Sequence, residues 1–171
     1  EGAPPSMQPD NLRSEAFRKE SVALRRGRPV LAIREGETVL QFREAESEVW
    51  KERLTAGSKV LRNAIPAIGR IELSNFIAYP SIGTGWMVDS DIIATNRHVA
   101  EFFVENAGTG FRFRLGDDRR KTIGARIDFL EEIDSELQSE FEIIEIVFVA
   151  PLSMPDIALF RVRAAAGTTI P

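Results

Sequence analysis

The chain holds a single histidine, His98, and no cysteine. Any chemistry that needs imidazole must therefore use His98, while thiolate nucleophiles, thiolate metal sites and disulfides are excluded together. His98 ends the run Asp91-Ile92-Ile93-Ala94-Thr95-Asn96-Arg97-His98, an apolar strand pattern passing into the turn Val99-Ala100-Glu101-Phe102-Phe103. A neutral imidazole, with an unperturbed pKa of about 6.5, is suited to take up and return a proton near neutral pH. Asp156 opens a second apolar run, Asp156-Ile157-Ala158-Leu159-Phe160-Arg161-Val162. A carboxylate so placed orients an imidazole if the two strand ends meet at the rim of one barrel. Each residue also has a plainer reading. A lone histidine at a strand end is usually structural, and an aspartate before a strand often only terminates it. No other group in the chain competes for either role.

The elements that would position these two residues begin at Ala67. Alternating or apolar runs recur at 68–73, 83–88, 91–96, 111–115, 123–130, 141–149 and 157–162, separated by turn signals such as Asp89-Ser90. That pattern predicts a β-barrel or sandwich. The Gly83-Thr84-Gly85 stretch predicts a close approach by another stretch of backbone. The acidic run 131–140 lacks the spacing and central glycine of a calcium loop, so it reads as a solvated surface loop.

Upstream, the pattern is mixed and polar. A surface helix is expected over 10–26, a strand over 28–34, a turn at Glu35-Gly36-Glu37, a strand over 38–42 and helical spacing over 44–62. Glu1 to Ser6, ahead of Met7, read as a cloning remnant. The expected organisation is thus 1–6 remnant, 7–65 appendage of mixed α/β type, and 66–171 barrel.

The 171 residues carry 22 basic and 26 acidic side chains, for a net charge of −4. That balance argues against a nucleic-acid or membrane surface. No apolar run approaches the roughly 18 residues that span a bilayer. With no secretory pattern either, a cytoplasmic location is expected. No cofactor or metal is expected: the chain has one histidine and no phosphate-cradling G-x-x-x-x-G-K motif.

The segment Gly83-Thr84-Gly85-Trp86-Met87-Val88 … Thr95-Asn96-Arg97-His98-Val99 resembles the trypsin-like (chymotrypsin-fold) serine peptidase family in its bacterial form, G-T-G-x-x-V … T-N-x-H-V. Pro155-Asp156-Ile157-Ala158-Leu159-Phe160-Arg161-Val162 resembles the family's D-[IV]-A-[LF] strand start, 58 residues on (156 − 98). The resemblance covers about 66–163. It implies a mainly β fold, the first six-stranded barrel of a double barrel. It also implies that His98 is the general base of a Ser-His-Asp triad and Asp156 its orienting carboxylate. Arg97 stands where many members have a small residue.

The family draws its nucleophile and oxyanion hole from a G-[DN]-S-G segment of the second barrel. The serines after His98 are Ser135, Ser139 and Ser153, and none sits beside glycine. The expectation is therefore the N-terminal portion of a serine endopeptidase, inactive alone and completed by a C-terminal half carrying the second barrel. Its substrate would be a protein or peptide, and a fused or associated effector domain is a further partner known in relatives. The alternative is a catalytically dead, protease-like barrel acting as a protein-binding or regulatory module. A half of this kind should also carry an apolar face, to be covered by the N-terminal appendage, a second copy or the missing half.

Overall fold

The computed structural model describes residues 31–40, 49–77, 79, 81–117 and 119–164. The expected helix at 10–26, the remnant at 1–6 and the first part of the strand expected from residue 28 lie outside them.

Six strands close into an antiparallel barrel: β3 (Ile68–Ser74), β4 (Ser81–Met87), β5 (Ile92–Thr95), β8 (Gly124–Asp128), β9 (Glu140–Val149) and β10 (Ala158–Ala164). The order around the barrel is β10-β5-β4-β3-β8-β9. Closure removes the exposed edges that an open sheet of these strands would present. The fold is mainly β, as the alternation of the sequence implies. Inward positions hold Ile71, Ile93, Ile127, Phe141 and Phe160, all fully buried. Aromatic rings knit the core, with Phe103 tilted on Phe160 at 5.1 Å and Phe129 edge-on to Phe141 at 5.4 Å.

One expected strand does not join the barrel. Phe111–Phe113 (β7) pairs instead with Val104–Asn106 (β6), a strand with no clear alternation in the sequence, to form a separate two-stranded ribbon. Phe113 from this ribbon stacks on Phe103, so its task is to cover the core.

The upstream region forms a hairpin, β1 (Ala32–Arg34) and β2 (Glu37–Val39), then two short helices, α1 (Val49–Ala56) and α2 (Ser58–Ala64). The two helices divide at Gly57, within the stretch 44–62 where helical spacing was expected and of which 44–48 lie outside the described residues. Register pairs Arg34 with Glu37, leaving Glu35-Gly36 as a two-residue turn, with both residues at positive φ (51° and 72°).

The acidic 131–140 run is not merely solvated. The Glu132 carboxylate accepts the backbone N–H groups of Glu35 and Gly36 at 2.7 and 2.8 Å. Ile133 N–H donates to the Ile33 carbonyl at 2.9 Å, and Arg34 meets Asp134 at 2.5 Å. Two adjacent N–H groups in left-handed conformation form a concavity that suits an anion, which explains why an acidic loop sits there. Further along the same side, Glu72 is nearly buried between Arg70 and Arg126. Burial pushes its carboxyl pKa up, but the hydrogen bonds and charges of Arg126 and Arg70 outweigh this and hold it below the usual glutamate value.

Across the outside of the barrel, register aligns Ile68, Trp86, Ala94, Leu159 and Phe148 on five successive strands. Directly paired residues share a face. Ile68, Trp86 and Phe148 are 47%, 38% and 37% exposed, while Ala94 in the same row is buried, so the apolar row is open to solvent at those three positions.

Candidate active site

The strand β5 and the helix after it place His98. Ile93 and Thr95 point inward and are completely buried, and the Thr95 hydroxyl donates to the Thr84 carbonyl at 2.8 Å. The chain then turns into α3 (Arg97–Ala100), whose Val99 and Ala100 are buried while His98 keeps contact with solvent. Gly83 explains the angle of that turn. A Cβ on Gly83 would lie 2.7 Å from Val99 Cγ2, so the space a side chain would take is filled by the residue next to His98. The close approach expected at the glycine-rich strand is therefore made by a side chain.

Asp156 sits in the loop between β9 and β10, two residues ahead of β10. Ala158 of β10 pairs directly with Thr95 of β5, so the two strand ends that carry the candidate residues are neighbours. The geometry follows. His98 Nδ1 lies 2.5 Å from Asp156 Oδ2, and the His98 backbone N–H donates to Asp156 Oδ1 at 3.1 Å. One carboxylate thus grips both the ring and the backbone of one histidine. The side chains are 26% and 38% exposed, open enough to reach a substrate and sheltered enough to hold their geometry.

Burial raises the Asp156 pKa, but the ring and backbone hydrogen bonds from His98, with the charges of His98 and Arg97, more than reverse it. The carboxyl is held below the usual aspartate value and is ionised throughout the range in which imidazole exchanges protons. A carboxylate on Nδ1 fixes the tautomer with Nε2 as the basic nitrogen.

Two residues that the sequence reading did not assign join the site. Asn96 Nδ2 donates to the Asp156 carbonyl at 3.1 Å, and Arg97 Nη1 to the Pro151 carbonyl at 3.2 Å. The signals for them were slight: Asn96 stood within the T-N-x-H-V segment, and Arg97 was an unusual neighbour of His98. Ser135 and Ser139 lie in the loop that clasps the hairpin, and Ser153 is exposed in the β9–β10 loop. Among the described residues, no three His, Asp or Glu side chains converge as a metal site would require, and no helix is long and apolar enough to cross a membrane.

No family model matches the chain. It is 32% identical over 102 residues to a probable serine protease of Lysobacter enzymogenes. The match covers 58% of this chain and 26% of that protein, so the chain spans about a quarter of the length of the curated relative it matches. The similarity and the closed six-stranded barrel together fit a trypsin-like fold and support a protease-like function.

Proposed function

We propose that this chain supplies the acid–base half of a trypsin-like serine endopeptidase. His98 is the general base that takes the proton of a serine hydroxyl and returns it to the leaving amine. Asp156 orients the ring and stabilises the imidazolium. The observation that carries this reading is the 2.5 Å contact between His98 Nδ1 and Asp156 Oδ2, reinforced by the His98 backbone N–H on the other oxygen. A carboxylate that merely ended a strand would have no reason to hold both ends of one histidine.

The nucleophile and oxyanion hole belong, in this reading, to a second barrel outside these residues, and the substrate is a protein or peptide. The exposed row Ile68–Trp86–Phe148 supports such a partner, as do Leu152 and Met154, which are exposed in the loop that carries Asp156. The domain division at about residue 66 belongs to the same proposal: the 3₁₀ turn Ile65–Ala67 leads directly into β3.

The test is made on the full-length polypeptide. His98→Ala should lower kcat/KM by about 10⁵–10⁶, because a triad acts as a unit. A fluorophosphonate probe should label a serine of the full-length protein and none of the serines in these 171 residues expressed alone. Cleavage that survives His98→Ala near the wild-type rate, or labelling within this segment alone, would overturn the proposal.

A further inference from the structure

We propose that Arg97, assisted by Asn96, is the positioning residue for Asp156, tying the loop that carries the carboxylate to the helix that carries the imidazole. This inference rests on the reading of His98 and Asp156 as a base and its orienter.

The loop in question runs from Ala150 to Ile157. Its base is closed by Ala150 N–H on the Ile157 carbonyl at 3.0 Å, and Met154 N–H turns back onto the Pro151 carbonyl at 2.9 Å. Every residue from Pro151 to Asp156 is exposed. Hydrophobic packing therefore gives the loop little lateral restraint, and an exposed loop without such packing samples many positions. A carboxylate that must meet a ring at 2.5 Å cannot be left to such a loop.

Three consecutive residues supply the restraint. Asn96 occupies the N-cap position of α3 but makes no capping bond with its side chain; its amide goes across to the Asp156 carbonyl. His98 takes both carboxylate oxygens. Arg97 reaches further, with Nη1 on the Pro151 carbonyl at the start of the loop and Nη2 3.8 Å from Asp156 Oδ1 at its end. One rigid guanidinium thus reaches the loop both at Pro151, near its start, and at Asp156.

The burial of Arg97 supports the same reading. Its side chain is only 16% exposed, and Nε is buried without a hydrogen-bond partner, the nearest carboxylate being Glu101 Oε1 at 3.6 Å. An arginine on the surface would be free to keep that donor solvated, so a cost is accepted for holding the fork where it is. Its cation lies on the Oδ1 side, behind the oxygen that accepts the His98 N–H, which leaves Oδ2 aimed at the ring. Lysine would keep the charge but, with a point ammonium in place of a fork, could not hold both ends of the loop.

Among the described residues, charged groups that face the pair include Asp156 from the loop, Arg97 from α3 and Glu101 from the turn after it. Arg97 both steadies the carboxylate and repels an imidazolium. These two effects on the protonated ring oppose each other, so the discriminating readout is the proton bridging Nδ1 and Oδ2. His98 is the sole histidine, so the ¹⁵N-labelled chain gives a single ring Nδ1–H resonance. Exchange of that proton with water should be about tenfold or more faster in Arg97→Met, with the amide spectrum of the barrel strands unchanged. Arg97→Lys should fall between that variant and wild type.

Wild-type exchange in both variants would overturn the proposal. If Arg97→Met does not fold, Arg97→Lys decides alone, and wild-type exchange there is equally fatal. The outcome is separable from the underlying function. Unchanged exchange together with His98-dependent cleavage by the full-length protein removes only the assignment of Arg97. Cleavage independent of His98 removes the reading on which that assignment rests.

Discussion

Strand β9 is flanked by two loops, and each delivers a carboxylate to a distant part of the chain. On one side Glu132 accepts two backbone N–H groups from the β1–β2 turn. On the other, Asp156 accepts one backbone N–H and one ring nitrogen, both from His98. Half of each arrangement is the same: an anion satisfying a backbone donor across nearly a hundred residues, or across 58. The other half differs in kind. A peptide N–H cannot change its charge, so Glu132 can only hold. An imidazole can, so the same type of carboxylate becomes able to stabilise a protonated base. In the proposed reading, what separates a structural clasp from acid–base machinery is the second donor.

The comparison is broken most directly by neutralising each carboxylate in turn in the full-length protein. Asp156→Asn keeps the shape but presents an amide to Nδ1, which favours the wrong tautomer, and kcat/KM should fall by about 10⁴. Glu132→Gln should leave kcat/KM within about twofold, since its partners are backbone groups remote from the reaction. Steady-state cleavage of a peptide substrate measures both. Equal losses in the two variants would show that the distinction drawn between the loops is false.

The sequence disclosed one of these loops far better than the other. The barrel was legible because inward positions recur with period two, from Ile71 through Phe160, and because turn residues punctuate the runs. His98 and Asp156 were singled out because each ends or opens such a run, because the chain has no second histidine, and above all because their segments resemble the trypsin-like family. The structure brings the two together, and their role stays a proposal. Glu132 was not. Its role depends on the conformation of Glu35-Gly36, 96 and 97 residues away in sequence, and nothing in an acidic run says which carboxylate will find a pair of N–H groups. Arg97 was noticed only as an unusual neighbour of His98, since its partner Pro151 is reached through a backbone carbonyl that no side-chain pattern reveals. Strand β6 escaped for a related reason: Val104-Glu105-Asn106 is too short to alternate, and its strand character comes from pairing with Phe111–Phe113. The split of the 44–62 helical spacing at Gly57 follows from local chemistry, since glycine interrupts a polar helix with little packing to hold it.

The site side of the comparison can be sharpened through packing rather than charge. Gly83→Ala puts a methyl 2.7 Å from Val99 Cγ2, closer than two carbons tolerate. Val99 is fully buried, so it has little room to retreat, and α3 must shift with it. The variant should lose about 1–3 kcal/mol of stability by denaturant unfolding, as overpacked cores do. The His98–Asp156 bond should loosen at the same time, seen as faster exchange of the ring Nδ1 proton. Val99→Ala in the same molecule removes the clash and should restore the exchange rate, although the smaller core leaves part of the stability loss. Gly83→Ala with wild-type stability and exchange would mean that α3 is not set by this contact.

The smallest effect is expected on the other side of β9, and it is the most specific to the clasp. The β1–β2 hairpin has two three-residue strands, too few to be stable alone in water. Its order comes from what it rests on, which among the described residues includes Glu132 at the turn, the Ile133 N–H on the Ile33 carbonyl, the pair Arg34–Asp134 and, from α2, the pair Arg62–Glu37. The ion pairs are largely exposed and contribute little. The carboxylate is different because it satisfies two adjacent donors at once, and Glu132→Gln leaves a neutral oxygen with at best one good bond. The loss should be about 1 kcal/mol, confined to the hairpin. Amide hydrogen exchange at Glu35, Gly36 and Ile133 should quicken roughly five-fold, as that energy implies, while Ile71 and Phe160 in the barrel keep their protection. Unchanged exchange at Glu35 and Gly36 would refute the clasp. Loss of protection throughout the barrel would show instead that this loop is part of the core's own stability, and that the two sides of β9 are less different than their partners suggest.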